Sequence, residues 1–184
     1  MYNPGMRHDP EQHTPHRLGR GMIILGWILA LGLLTLLSDN WLESERNPNR
    51  QVLSRVSTDG TPEVVLQRNR FGHYVATGRI NGEAVEFMVD TGASDVSVPG
   101  SLAAQLGLKR GAPMRYQTAN GTITGFLTHI DRLELGNLVL HNVPASINPA
   151  YQEDDILLGM SVLKRLEFTQ RGDTLTLRPL VTTP

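Results

Sequence analysis

The chain has 184 residues, no cysteine and a formal net charge of −1 at pH 7. The near-neutral charge gives no indication of a nucleic-acid or polyanion partner, and the lack of cysteine excludes disulfides, thiolate catalysis and cysteine-based metal sites. The length suggests one domain plus an additional segment. Its 18 glycines and 11 prolines, interleaved with short runs of Val, Leu, Ile and Thr, predict a turn-rich, mostly β domain.

The first element along the chain is an apolar, uncharged segment over residues 21–37. At about 1.5 Å per residue it lies at the short end of what crosses a hydrocarbon core, so it predicts a single transmembrane helix. A cleaved signal peptide is the main alternative, although the preceding chain is long and Leu37–Asn40 lacks a small-residue cleavage pattern. A buried core helix is disfavoured because the segment is apolar on every side.

Charge on the two sides of this segment predicts its orientation. Arg17 and Arg20 stand directly before it. The first charged residues after it are acidic: Asp39, Glu43 and Glu45. Because positive charge favours the cytoplasmic side, the sequence predicts a single-pass inner-membrane protein with a cytoplasmic N-terminus and a periplasmic C-terminal domain.

The rest of the chain divides by composition into three parts. Residues 1–20 contain several prolines and histidines and predict a disordered cytoplasmic tail. Residues 38–60 are polar and contain Asn47-Pro48-Asn49, which predicts a flexible linker between the membrane and a folded domain. The folded domain is predicted over residues 61–184.

Short strands separated by turn residues predict that this domain is all-β and forms a small closed barrel. About nine or ten strands and one or two short helices are expected, with helices over residues 102–106 and 161–166. Asn81-Gly82 and Asn120-Gly121 are two-residue hairpin signals, because both residue types tolerate the positive φ of a type I′ turn.

Asp90-Thr91-Gly92 follows an apolar strand over residues 85–89 and occurs once in the chain. The same three residues also suit an exposed turn, which is the non-functional interpretation. A later apolar run, Ile156–Gly159, likewise precedes a predicted short helix, so the two segments form a faint internal repeat. Other aspartates precede neither Thr-Gly nor Ser-Gly: Asp95, Asp131, Asp154, Asp155 and Asp173.

The histidines and the acidic segment of this domain have ordinary interpretations. His73, His129 and His141 lack metal-ligand spacing and are expected to be surface or core residues. Glu153–Asp155 is expected to be a solvated acidic loop rather than a cation site. No metal and no cofactor are therefore predicted.

Four segments, in this order, resemble the retropepsin-like aspartic proteases, and most closely the bacterial membrane-anchored branch. They are the catalytic-type motif Phe87–Ser94, the strand Val96–Pro99 after it, the flap-like tip 119–121 and the second motif Ile156–Met160. The resemblance runs from about Gly72 to Leu177 and implies the retropepsin barrel, preceded here by a single transmembrane helix.

The resemblance also implies a role for individual residues. Asp90 is the implied catalytic carboxylate. Three residues support its loop: Thr91, Gly92 and Ala93. Three form the tip of a flap that closes over substrate: Ala119, Asn120 and Gly121. Three more pack beneath the catalytic loop: Leu157, Leu158 and Gly159.

The implied chemistry needs two carboxylates, which cannot both ionise in contact and so share one proton. One chain supplies one Asp-Thr-Gly, so the expected enzyme is a homodimer. It is expected to be a membrane-anchored aspartic endopeptidase that hydrolyses protein or peptide substrates with a water activated by two Asp90 carboxylates. The alternative is a weakly active or inactive peptide-binding or scaffolding β domain, tethered to the membrane through residues 21–37.

Overall fold

The structure, a computed structural model, describes three ranges of the chain: residues 16–58, 60–118 and 121–180. The chain divides into two compact units: Met1–Leu42 and Glu43–Pro184. Most of the predicted tail (residues 1–15) and the predicted flap-tip residues Ala119 and Asn120 lie outside the described residues.

Helix α1 spans His16–Arg46. By length and composition, Gly21–Arg46 could cross a membrane, and its most apolar part is not buried by the rest of the chain. A signal sequence near an N-terminus has the same properties, so these criteria leave both interpretations open. The helix continues past the predicted end at Leu37 because neither glycine nor proline follows until Pro48, which cannot continue a helix.

The second unit is built from eleven described strands and one short helix. The helix, α2, is Met160–Leu163. The strands are β1 (Leu53–Val56), β2 (Pro62–Gln67), β3 (Val75–Ile80), β4 (Glu83–Val89), β5 (Val96–Pro99), β6 (Pro113–Thr118), β7 (Gly121–Leu135), β8 (Leu138–Asn148), β9 (Asp155–Leu158), β10 (Leu166–Arg171) and β11 (Thr174–Pro179).

The strands form two sheets, of which the larger is a ring. The smaller sheet has the order β1-β2-β11-β10, and the larger has the order β3-β4-β9-β5-β8-β7-β6. Register pairs from Arg79 to Glu134 and from Ile80 to Leu133 join β3 to β7, so β6 remains outside the ring. The all-β prediction is confirmed, with a ring of strands in place of a formally closed barrel.

Alternating side chains of the ring strands supply the core. In β4, Val85 and Phe87 are buried whereas Glu86 between them is partly exposed, as expected for a strand with one face toward the core. Buried side chains of the ring share one hydrophobic cluster with those of the smaller sheet, including Leu66 and Leu177. The two sheets therefore fold around a common core.

The Asn81-Gly82 hairpin prediction is confirmed. Asn81 and Gly82 have φ of 51° and 92°, and they connect β3 to β4 in antiparallel register. Both central residues thus adopt the positive φ that a type I′ turn requires. The turn fixes the register of β4, the strand that leads to Asp90.

The helix predicted over residues 102–106 is replaced by consecutive turns over residues 100–107. The Leu106 N–H donates to the Leu102 carbonyl in α-helical spacing, but the Gly107 N–H donates to Ala104, three residues back. Gly107 then adopts a φ of +68°. This left-handed residue ends the segment before helical hydrogen bonds can propagate.

The linker predicted over residues 38–60 also differs from the structure, because its second half belongs to the folded unit. Asn47 and Asn49 are buried, and β1 pairs with β2. The Asn49 amide group donates to the carbonyls of Gln67 (2.9 Å) and Val75 (2.7 Å) and accepts from the Gln67 N–H (2.7 Å). A polar composition is typical of a linker. In this structure, however, the Asn49 side chain makes hydrogen bonds to backbone groups of β2 and β3 that would otherwise lack partners.

We predict that Asn49→Ala lowers the free energy of unfolding by about 1–3 kcal/mol, because it leaves buried backbone groups without partners. Urea denaturation of residues 43–184, followed by circular dichroism, measures the change. Gln51→Ala is the matched control, since Gln51 is exposed in the same segment. Equal stability of the two variants would contradict the docking of this segment.

Candidate active site

Asp90 lies at the end of β4, where the parallel neighbour β9 also ends. Val89 pairs with Leu158 in that ladder, and the Asp90 N–H donates to the Leu158 carbonyl at 3.2 Å. Phe87, fully buried two residues before Val89, anchors the strand in the core. Asp90 itself is partly exposed, so a rigid strand delivers its carboxylate to an accessible position.

The loop after Asp90 turns tightly around its carboxylate. The Gly92 N–H donates to Asp90 Oδ1 at 2.8 Å, and the Ala93 N–H donates to the Asp90 carbonyl at 3.3 Å. A Cβ on Gly92 would lie 3.1 Å from Asp90 Oδ1, so glycine permits this close approach. Thr91 and Gly92 are exposed, which leaves the tip of the loop open to a further molecule.

The second apolar motif contacts this loop directly. The Met160 N–H donates to the Ala93 carbonyl at 2.8 Å, and Leu158 is fully buried. A Cβ on Gly159 would lie 2.6 Å from the Ala93 carbonyl oxygen. Residue 159 therefore has no room for a side chain. The structure thus brings the two motifs into contact.

We predict that Gly159→Ala lowers the free energy of unfolding by about 1–3 kcal/mol, because the added methyl group displaces the backbone of the Asp90 loop. Urea denaturation of residues 43–184 measures the effect. The control is Gly172→Asn, since Gly172 has open space around it and a φ of +57° that asparagine tolerates. A Gly159 variant as stable as this control would contradict the close contact.

A pocket of about 330 Å³ opens beside Asp90. Its walls come from the Asp90 loop, β5, the β6–β7 hairpin, β8 and β9. The lining residues are Asp90, Gly92, Ala93, Ser94, Asp95, Ser97, Tyr116, Gln117, Ile123, Ser146, Asn148 and Leu157. Most of these residues are polar, Ala93, Ile123 and Leu157 are aliphatic, and the volume is typical of ligand-binding clefts.

Asp95 connects three walls of this pocket. Tyr116 of β6 donates its hydroxyl to Asp95 Oδ2 at 3.1 Å, and Ser146 of β8 donates to Oδ1 at 2.9 Å. Burial raises the pKa of Asp95 above its ordinary value, and these hydrogen bonds oppose the rise. Sequence reasoning placed Asp95 in no site, because only the tertiary fold brings β6 and β8 to it.

The predicted flap corresponds to the β6–β7 hairpin. Its two arms are paired in antiparallel register, with Pro113 opposite Phe126 at one end and Thr118 opposite Gly121 at the other. Tyr116, Gln117 and Ile123 of this hairpin line the pocket. Of the predicted tip residues, Gly121 begins β7 with a φ of +109°. The hairpin thus forms part of the wall of this pocket.

A second cavity of about 210 Å³ lies beside Asp90 and Thr91. Its other lining residues are Tyr74, Val89, Leu163, Phe168, Gln170 and Leu175. The Tyr74 hydroxyl is buried and has no hydrogen-bond partner in the described part of the chain, while Phe168 is 45% exposed. Buried hydroxyl groups without a hydrogen-bond partner are rare in folded proteins, which distinguishes this cavity.

In the acidic segment Glu153–Asp155, Glu153 and Asp154 are exposed loop residues as predicted, and only Asp155 differs. Asp155 is 6% exposed, accepts a hydrogen bond from the Tyr151 hydroxyl and lies 4.0 Å from the Arg46 guanidinium. A buried carboxylate needs such partners. Within the described ranges, no three His, Cys, Asp or Glu side chains are grouped closely enough to hold a metal ion.

Comparison with known proteins points to one family. Residues 76–165 match the family described as "gag-polyprotein putative aspartyl protease". The chain is similar to the crystal structure of a retropepsin-like aspartic protease from Rickettsia conorii, with 32% sequence identity and a TM-score of 0.53. That match covers 62% of this chain and 98% of the other.

Two further relatives are similar in sequence. An uncharacterized protein in the cobV 5′ region of a Sinorhizobium species is 29% identical over 177 residues, which is 89% of this chain and 76% of the relative. An uncharacterized protein of Rickettsia prowazekii (strain Madrid E) is 31% identical over 108 residues, which is 57% of this chain and 46% of the relative.

Proposed function

This chain belongs to the retropepsin-like aspartic protease family, and we propose that it is a membrane-anchored endopeptidase that acts as a homodimer. The observation that carries the proposal is the position of Asp90. Its partly exposed carboxylate sits on a rigid strand end beside a pocket of about 330 Å³ that the β6–β7 hairpin helps to line. A positioned carboxylate in a cleft is what general acid–base hydrolysis requires.

The second carboxylate of the reaction is proposed to come from another copy of the chain. Asp95 is the other carboxylate that lines the pocket, but both of its oxygens already accept hydroxyl hydrogen bonds. The exposed loop tip and the cavity beside Thr91 support a two-fold contact there, across which Asp90 meets its counterpart. Thr91, in this proposal, joins the two loops through its hydroxyl.

The proposed mechanism follows from the shared proton of this carboxylate pair. The ionised Asp90 takes a proton from a bound water, and that water attacks the carbonyl carbon of the scissile peptide bond. The protonated Asp90 of the other copy donates to the carbonyl oxygen as negative charge develops there. The resulting gem-diol then breaks its C–N bond, as the Asp90 that took the proton from water gives it to the leaving nitrogen and the other Asp90 takes back a hydroxyl proton. The substrate binds in extended form beneath the β6–β7 hairpin, whose closure excludes bulk water.

We predict that Asp90→Asn reduces kcat/KM for peptide cleavage by about 10²- to 10⁴-fold, since an amide cannot share or transfer the proton. The assay uses the full-length chain in detergent and a proteome-derived peptide library read by mass spectrometry. Asp131→Asn is the matched control, because Asp131 is exposed on β7 away from the pocket. Cleavage by the Asp90 variant at the control rate would contradict the mechanism.

The same variant tests the homodimer. When equal amounts of wild-type and Asp90→Asn chains are refolded together, random pairing leaves about half of the wild-type chains in fully wild-type dimers. The activity per wild-type chain should therefore fall to about half of that of wild-type chains refolded alone. It should fall further when the variant is present in excess. Unchanged activity per wild-type chain would show that one copy suffices.

Membrane anchoring through α1 is part of the proposal, because confinement in a membrane raises the effective concentration of a weak dimer. The arginines before the apolar segment and the acidic residues after it support a cytoplasmic N-terminus and a periplasmic protease domain.

We predict that a reporter enzyme that needs disulfide bonds is active when fused after Pro184, because disulfides form outside the cytoplasm. The same reporter fused after Arg20 is the control and should be inactive. The full-length chain should also sediment with membranes after an alkaline wash. An inactive C-terminal fusion would overturn the orientation, and a shortened, soluble chain would indicate a cleaved signal peptide instead.

A further inference from the structure

The pocket beside Asp90 holds a second carboxylate, Asp95, with no cationic partner among the described residues. None of the residues that line the pocket carries a positive charge, and Asp95 takes part in none of the described ion pairs. The flap-tip residues Ala119 and Asn120 add no positive charge by sequence. A partly buried carboxylate in such a pocket is an electrostatic site for a cation.

Two hydroxyl groups hold this carboxylate in place and leave part of it open. Tyr116 donates to Oδ2 and Ser146 to Oδ1. An ionised carboxylate has about four acceptor positions, and the two hydroxyl groups with the backbone of Asp95 account for three of them, so acceptor capacity remains. Because residues of β6 and β8 hold the carboxylate in one orientation, the binding of a further donor costs little side-chain conformational entropy.

The pocket also suits the rest of a long cationic side chain. Ile123 and Leu157 line it together with Asp95, and the alkyl stems of lysine and arginine pack on apolar surface while their charged ends reach polar groups. Asp95 is partly buried, and the loss of hydration raises the pKa of its carboxyl group. A cationic side chain would supply the stabilisation that water does not.

We infer that Asp95 selects a cationic substrate side chain, lysine or arginine, in the pocket beside Asp90. The inference rests on the proposed endopeptidase function and adds the chemical class of its substrate. The ammonium or guanidinium group donates to the open positions of the Asp95 carboxylate while the peptide backbone lies across Asp90. Asp95 thus determines specificity, whereas Asp90 performs the hydrolysis.

The test uses the full-length enzyme in detergent. A peptide library first identifies the cleaved sequences, which should carry lysine or arginine at one fixed position from the cut. Matched peptides with lysine or uncharged norleucine at that position are then compared. Asp95→Asn should lower kcat/KM for the lysine peptide by about 10- to 100-fold more than for the norleucine peptide, because only the lysine peptide loses a charge-assisted hydrogen bond. Asp95→Lys should shift the preference toward glutamate.

Two controls distinguish selection of the substrate side chain by Asp95 from a purely structural role of Asp95 in the pocket walls. Tyr116→Phe removes a hydroxyl that holds Asp95 but keeps the negative charge, so the preference for lysine should persist. Glu153→Gln removes an exposed acidic residue outside the pocket and should leave kcat/KM for both peptides unchanged. If Asp95→Asn lowers cleavage of both peptides equally, Asp95 only braces the walls and the inference is wrong.

The remaining outcomes distinguish this inference from the proposed function. Cleavage that depends on Asp90 but shows no preference for lysine or arginine overturns the inference alone. If the wild-type chain cleaves no peptide in the library, the proposed function fails and the inference fails with it.

Discussion

Two backbone hydrogen bonds connect the loop that bears Asp90 to the segment around Gly159, and the rest of the site depends on them. The Asp90 N–H donates to Leu158, and the Met160 N–H donates to Ala93. These bonds form because β4 and β9 run parallel and end at the same level, and because Gly159 has no side chain to separate the segments. The carboxylate of Asp90 therefore has a fixed position before any substrate arrives.

The hydrogen bonds of Asp95 connect the loop that bears Asp90 to two further walls of the pocket, β6 and β8. A half-buried carboxylate is costly without partners, and the Tyr116 and Ser146 hydroxyls reduce that cost. The same bonds tie one arm of the hairpin and the wall strand β8 to the loop that carries Asp90. Structural support and substrate recognition thus use the same polar groups, which is why a change at Asp95 must be tested on substrates that differ only in charge.

At the boundary of the folded unit, buried asparagines occur where the polar composition predicts a flexible linker. Asn47, Asn49 and Asn69 resemble linker or turn residues in the sequence, yet all three are buried. Their amides bond to backbone and side-chain groups of neighbouring segments. Whether an asparagine is solvated or buried depends on which unpaired groups the fold places nearby, and a single sequence does not contain that information.

Local signals were sufficient where the physical cause is local. The Asn81-Gly82 turn, the apolar β4 and β9 and the two motifs at their ends follow from residue type and spacing, because turn geometry and strand alternation act over a few residues. The closing of the ring by β3 and β7, the hydrogen bonds between the two motifs and the joining of Asp95 to Tyr116 and Ser146 came only from the tertiary structure. Those contacts link residues 21 to 68 positions apart, and their geometry depends on how the whole ring packs around its core.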